Sequence, residues 1–79
     1  MATLQQVQDL VKQADPNANV ASIEQRGDRI FGSVRSEQFG KMSADERTAW
    51  INKHVRRPLG GDAFNVGAIV AMGPQESLW

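Results

Sequence analysis

Residues 20–36, VASIEQRGDRIFGSVRS, decide how this chain folds. Val20 to Gln25 and Arg29 to Ser36 have strand-like composition and flank Arg26-Gly27-Asp28, a short glycine-containing connection of the kind that joins antiparallel strands. In the second arm Ile30, Gly32 and Val34 fall on one face, and Arg29, Phe31, Ser33 and Arg35 on the other. That two-residue period belongs to a strand with one covered side. The stretch therefore predicts a hairpin whose Ile30–Val34 face needs a cover.

The flanking sequence supplies one. Upstream, Thr3 and Gln6 form a capping-box pattern, after which Leu4, Val7, Leu10, Val11 and Ala14 recur at helical spacing until Asp15-Pro16 stops the run. Downstream, a loop from Glu37 to Met42 leads to Ser43, which pairs with Glu46 in a second capping box. Ala44, Thr48, Ile51 and Val55 then make one stripe, with Arg47, Trp50 and His54 along its flank and Asp45, Ala49, Asn52, Lys53 and Arg56 pointing outward. Pro58 and Gly60-Gly61 end this helix. Phe64 to Met72 is apolar nearly throughout and predicts a short third strand. Gly73-Pro74 breaks that strand, and Pro74 to Trp79 is expected to form a last helical turn.

The order is α-β-β-α-β-(α), a single α+β domain over residues 1–79. Strands joined through a helix pair in parallel with a right-handed crossover, so the third strand should lie parallel to the second and the sheet should be three-stranded and mixed. Two helices with one apolar stripe each would cover one face and leave the other open.

Composition sets the outer limits. The chain has 79 residues, nine basic and nine acidic side chains, one His and no Cys. A chain this short has a thin core, well patterned or completed by a partner. The lack of cysteine excludes disulfides, thiolate metal sites and a cysteine nucleophile, and fits a cytoplasmic location. No apolar run approaches the ~18 residues of a membrane span, and Met1 to Gln13 is too polar for a signal peptide. Charge is uneven along the chain. Residues 29–57 hold Arg29, Arg35, Lys41, Arg47, Lys53, Arg56 and Arg57 against Glu37, Asp45 and Glu46.

Val34, Ser36, Phe39, Gly40, Arg47, Val66, Ala68, Ile69, Pro74, Glu76 and Trp79 follow in an order that resembles the spine of the BolA family. That spine has a V-x-S strand end, an F-x-G-like loop, an arginine early in the second helix, a V-H-A-L-like third strand and a T-P-E-E-W-like tail. The resemblance implies a class II KH-like fold with the topology above and a regulatory role in stress and growth. It also implies transcription-factor-like DNA binding in some members, and a [2Fe-2S] cluster shared with a monothiol glutaredoxin. The family's cluster-ligand histidine falls on Gly67, which has no donor atom, and the family histidine before the helical arginine falls on Glu46. Cluster binding is accordingly not expected, no cofactor or metal site is predicted, and a glutaredoxin partner is doubtful.

His54 beside Trp50 reads first as a structural imidazole and second as a pH sensor or phosphate contact. Arg29, Phe31, Gly32 and Val34 match four positions of an eight-residue RNA-recognition strand, but Ser33 and Ser36 stand where further aromatics belong, and no G-x-x-G loop occurs. No Walker loop, dinucleotide fingerprint, G-x-S-x-G elbow or H-E-x-x-H pair is present, so an enzyme is not expected. The reading is a non-enzymatic regulatory or adaptor protein that binds another protein, with Phe39, Lys41, Trp50 and Trp79 as contact residues on the Glu37–Met42 loop, the basic helix flank and the tail. The alternative is a weak DNA- or RNA-binding regulator using Arg35, Lys41, Arg47, Lys53, Arg56 and Arg57. A monomer or a weak homodimer paired through the open sheet is compatible with either.

Overall fold

A computed structural model describes residues 1–76. Helix α1 (Leu4–Ala14) precedes strands β1 (Ile23–Arg26) and β2 (Arg29–Arg35), and helix α2 (Ala44–Ile51) lies between β2 and strand β3 (Val66–Met72). The sheet order is β1-β2-β3, with β1 antiparallel and β3 parallel to β2. The α+β class and the mixed three-stranded sheet are those predicted. Among the described residues, no helix is long and apolar enough to cross a membrane.

Both capping boxes form. The Gln6 N–H donates to Thr3 Oγ1 at 3.1 Å while the Thr3 N–H donates to Gln6 Oε1 at 2.9 Å, and Ser43 and Glu46 make the same exchange at 3.2 and 2.9 Å. Each box satisfies two N–H groups that a helix start would otherwise leave unpaired. Val7 and Val11 of α1 pack on Ile23, Ile30 and Val34 of the hairpin, Ile51 and Val55 of the second helical segment, and Val66, Ile69 and Ala71 of β3.

The second helical segment departs from expectation. Past Ile51 it widens into a π-helical stretch, Asn52–Arg56, before a last turn at Arg57–Leu59. Pro58 lacks an N–H and its ring crowds the preceding turn, and a widened turn relieves that crowding without ending the helix. The predicted stripe holds only in part: Ile51 and Val55 are buried, but Ala44 and Thr48 are exposed. They lie beside the outer edge of the sheet, where no strand among the described residues continues it. Arg56 does not point outward; its guanidinium donates to Val66 O at 3.2 Å and Gly67 O at 2.7 Å.

The strands need two adjustments. Val20–Ser22, predicted as strand, forms a turn in which the Ile23 N–H donates to Val20 O at 3.1 Å. The chain passes so close to β2 there that a Cβ on Gly32 would lie 2.1 Å from Ser22 O, and Gly32 has φ +141°, a conformation side chains disfavour. Phe64 and Asn65, predicted as the start of the third strand, lie in a 3-10 turn, Gly60–Asn65, and Phe64 is 69% exposed. Within β3, Gly67 and Ala68 together oppose Phe31, because the register runs from Ile30↔Val66 to Gly32↔Ile69. This bulge turns both Val66 and Ile69 to the covered face although they are three residues apart. Asn65, 4% exposed, ties the elements together: its side chain accepts the Ala2 N–H and donates to Ala2 O, both at 2.8 Å, and donates to Asp28 O at 2.7 Å.

Of the expected last helical turn, the described part is a turn in which the Glu76 N–H donates to Gly73 O at 3.2 Å. Trp79 lies outside the described residues.

Candidate functional site

β3 is an edge strand whose outer side has no neighbouring strand among the described residues. The Ser36 N–H donates to Met72 O at 3.0 Å, so Met72, and by alternation Val70, direct their backbone groups at β2. Ile69 and Ala71 therefore direct theirs outward. They open onto a groove of about 350 Å³ walled by Met42, Ala44, Arg47 and Thr48. This is the place a fourth strand would occupy, and it explains why Ala44 and Thr48 stand free.

Arginines occupy both ends of this edge. At the Val66–Gly67 end Arg56 donates to the two carbonyls given above. At the other end Arg47 Nη1 donates to Ala71 O at 3.2 Å, and Arg47 Nε donates to Met42 O, also at 3.2 Å. The same guanidinium grips Glu76 with a two-pronged contact, Nη1 to Oε1 at 2.6 Å and Nη2 to Oε2 at 2.7 Å. The Gly73 N–H adds a third donor to Glu76 Oε1 at 3.0 Å. Hydrogen bonding from Arg47, then from the Gly73 N–H, holds the Glu76 carboxyl down to about 2, and the Glu76 contact raises Arg47 above its usual value. Arg35 completes the arrangement: its Nη1 donates to Glu76 O at 2.5 Å and Gly73 O at 3.1 Å, folding the tail back over the end of β2.

A second cleft, about 540 Å³, lies on the other side of Arg35 and includes Asp15, Asn17, Asn19, Ser36 and Gln38. Asp15 is buried, yet fully engaged: Ser36 Oγ and Gln38 Nε2 (2.7 Å) donate to Oδ2, and the Asn17 N–H donates to Oδ1 at 3.1 Å. Burial raises its carboxyl, but these hydrogen bonds and nearby Lys12 outweigh that and leave it below its ordinary value. Its work is to fasten the end of α1 to the loop after β2.

The protein-contact residues expected from sequence do not form one surface. Phe39 is 0% exposed and belongs to the core. Trp50 meets it edge-on with ring centroids 4.9 Å apart, and His54 packs on Trp50 at 4.5 Å. Phe39 thus supports the loop from beneath and presents nothing to a partner, while Lys41 is exposed. The six basic candidates divide likewise. Arg35, Arg47 and Arg56 hold backbone carbonyls, and Lys41, Lys53 and Arg57 remain exposed. Their basicity was legible, but half of it serves the fold.

Gly67 does not fit the cluster ligand that the BolA resemblance places there. Its bare side faces the Phe31 Cβ and the Arg29 guanidinium, 3.7 and 3.8 Å from where a Cβ would stand. The position offers no donor and has a cation beside it. Among the described residues, no three His, Asp or Glu side chains are grouped to hold a metal.

Sequence reasoning missed the pairing of Arg47 with Glu76 and the role of Asn65. Both contacts join residues far apart in the chain, and no local signal announces either. No protein-family model, curated protein or solved structure matches this chain.

Proposed function

We propose that this is a non-enzymatic, BolA-like regulatory adaptor of the cytoplasm that works by gripping another protein, adding a strand of the partner to the β3 edge between the two arginines, at Ile69 and the Ala71 N–H. The observation that carries the reading is the outward pair Ile69 and Ala71 above an open groove whose far wall is the first two turns of α2. Main-chain groups of an edge strand supply affinity to any extended segment, and the groove wall supplies selectivity through alternate side chains. Val70, 39% exposed on the opposite face of β3, gives an added strand an apolar neighbour. No cluster enters this reading, because Gly67 has no atom with which to hold one.

The test uses Ala71→Pro, which removes an outward N–H that the β2–β3 ladder does not use. Capture of a partner from native extract by the full chain should survive moderate salt and be lost with Ala71→Pro. Capture that falls steeply with salt, is unaffected by Ala71→Pro and brings down nucleic acid would favour the alternative, a weak nucleic-acid contact through exposed Lys41, Lys53 and Arg57.

A further inference from the structure

We infer that the β3 groove takes an extended acidic peptide, and that Glu76 holds the place of one of its carboxylates. The inference rests on the strand-addition reading and specifies what the added strand carries. Three observations lead to it.

The first is the placing of charge along the edge. Arg47 reaches Ala71 and Arg56 reaches Val66 and Gly67, so the second helical segment runs opposite in direction to β3. The register pairs Val66 with Ile30 and Ala71 with Val34, so the two contact points lie four ladder positions, roughly 13 Å, apart. The two guanidiniums therefore sit about four strand positions apart. In an extended peptide, residues i and i+4 share a face. A peptide with acids at those positions, both turned toward the helix, meets one arginine at each end, with the residue between them beside Thr48.

The second is the state of the two cations. Arg47 already holds a carboxylate in fork geometry, completed by the Gly73 N–H, which is how a carboxylate-binding site is built. Its occupant is an acid at 40% side-chain exposure on a tail turn, so water reaches it. Arg56 touches only carbonyls and has no acidic partner among the described residues. Exposed Lys53 and Arg57 lie on the same helical segment. One end of the β3 edge thus carries a filled acid site, and the other carries a guanidinium that holds carbonyls and no acid.

The third is that exchange is local. Arg47 Nη1 touches both Ala71 O and Glu76, so a partner's carboxylate can take the place of Glu76 while the contact to the strand stays. The partner's backbone then pairs with the outward groups of Ile69 and the outward N–H of Ala71.

The experiment titrates the full chain, 15N-labelled, with the blocked peptide acetyl-Glu-Val-Thr-Val-Glu-amide and with counterparts carrying Gln or Lys in place of both acids. The acidic peptide should shift the Ile69 and Ala71 amides, slow their hydrogen exchange, and bind about tenfold more tightly than the Gln peptide at low salt. Glu76→Gln should tighten the acidic peptide several-fold, and Arg47→Gln should weaken it. Equal or tighter binding of the Gln or Lys peptide, still read at Ile69 and Ala71, overturns the acidic class and leaves strand addition standing. Acid-selective binding that Glu76→Gln fails to tighten overturns the place-holding role. No response at Ile69 and Ala71 to any peptide removes strand addition itself. Should Glu76→Gln fold poorly, the order of the three peptides on the unaltered chain still decides, and Arg56→Gln tests the second acid site.

Discussion

Two carboxylates flank Arg35 and Ser36 at the end of β2, and the chain uses them in opposite ways. Asp15 is buried and held by neutral donors, the Ser36 hydroxyl, the Gln38 amide and the Asn17 N–H. Glu76 is 40% exposed and held by a guanidinium. Burial works against the charge of Asp15, so each of its donors is needed, and losing the acid leaves them facing one another without an acceptor. Glu76 has water at hand on one side, so what holds it can be replaced by solvent, salt or another acid. The first contact is a fastening of the fold, and the second is exchangeable. A docking site belongs beside the second kind.

The largest effect that would break this contrast is expected at Asp15. Asp15→Ala strands a hydroxyl, an amide and a backbone N–H at a buried point and should lower stability by about 2–4 kcal/mol. Urea unfolding at pH 7 measures it as a lower midpoint with an unchanged slope. Asp15→Asn should recover only part of the loss, because its NH2 group confronts the donors that the second oxygen accepted. Glu76→Gln should cost less than either substitution. A larger loss for Glu76→Gln than for Asp15→Ala would reverse the assignment of fastening and exchange.

Acid sharpens the contrast next. Both carboxyls lie below their ordinary values of 3.8 and 4.5, so both stabilise the folded chain above those values and release that stability as protons are forced on. For Glu76 the window runs from about 4.5 down to about 2. Stability should therefore fall with pH over this range, and Glu76→Gln should flatten that decline without affecting the plateau's dependence on Asp15. Carboxyl 13C titration resolves the two groups directly. A Glu76 carboxyl that titrates at its ordinary value would remove the two-pronged contact with Arg47.

These contacts mark where the sequence could and could not be read. α1 was legible because Thr3, Gln6 and the Leu4–Val11 stripe are local signals that agree with one another, and the mixed sheet followed from the hairpin and a single helical crossover. The face of α2 was not. Its apolar residues are few, its π-helical stretch upsets the phase between Thr48 and Val55, and an exposed alanine and threonine beside a strand edge read the same as a core stripe. Gly32 looked like an ordinary residue of the covered face, because nothing local announces that Ser22 will pass within 2.1 Å of its absent Cβ. The bulge at Gly67-Ala68 hid likewise in an apolar run. Of the candidate site, the basic charge was visible and its destination was not, since the guanidiniums' partners are an acid 29 residues away and carbonyls up to 41 residues away.

Salt gives the smallest effect and the most direct test of exchange. An exposed ion pair is screened as ionic strength rises, whereas hydrogen bonds from neutral donors to a buried carboxylate are screened far less. The stability difference between the parent chain and Glu76→Gln should therefore shrink between low salt and about 1 M, where the screening length is ~3 Å. The difference between the parent chain and Asp15→Ala should change little over the same range. Arg47→Lys adds a second reading: lysine keeps the charge but loses the fork, so it should retain the salt dependence while losing the two-pronged geometry and the link to Ala71 O. If the Glu76 contribution resists salt as fully as that of Asp15, the tail is fastened rather than exchangeable, and the groove beside β3 is closed to a competing acid.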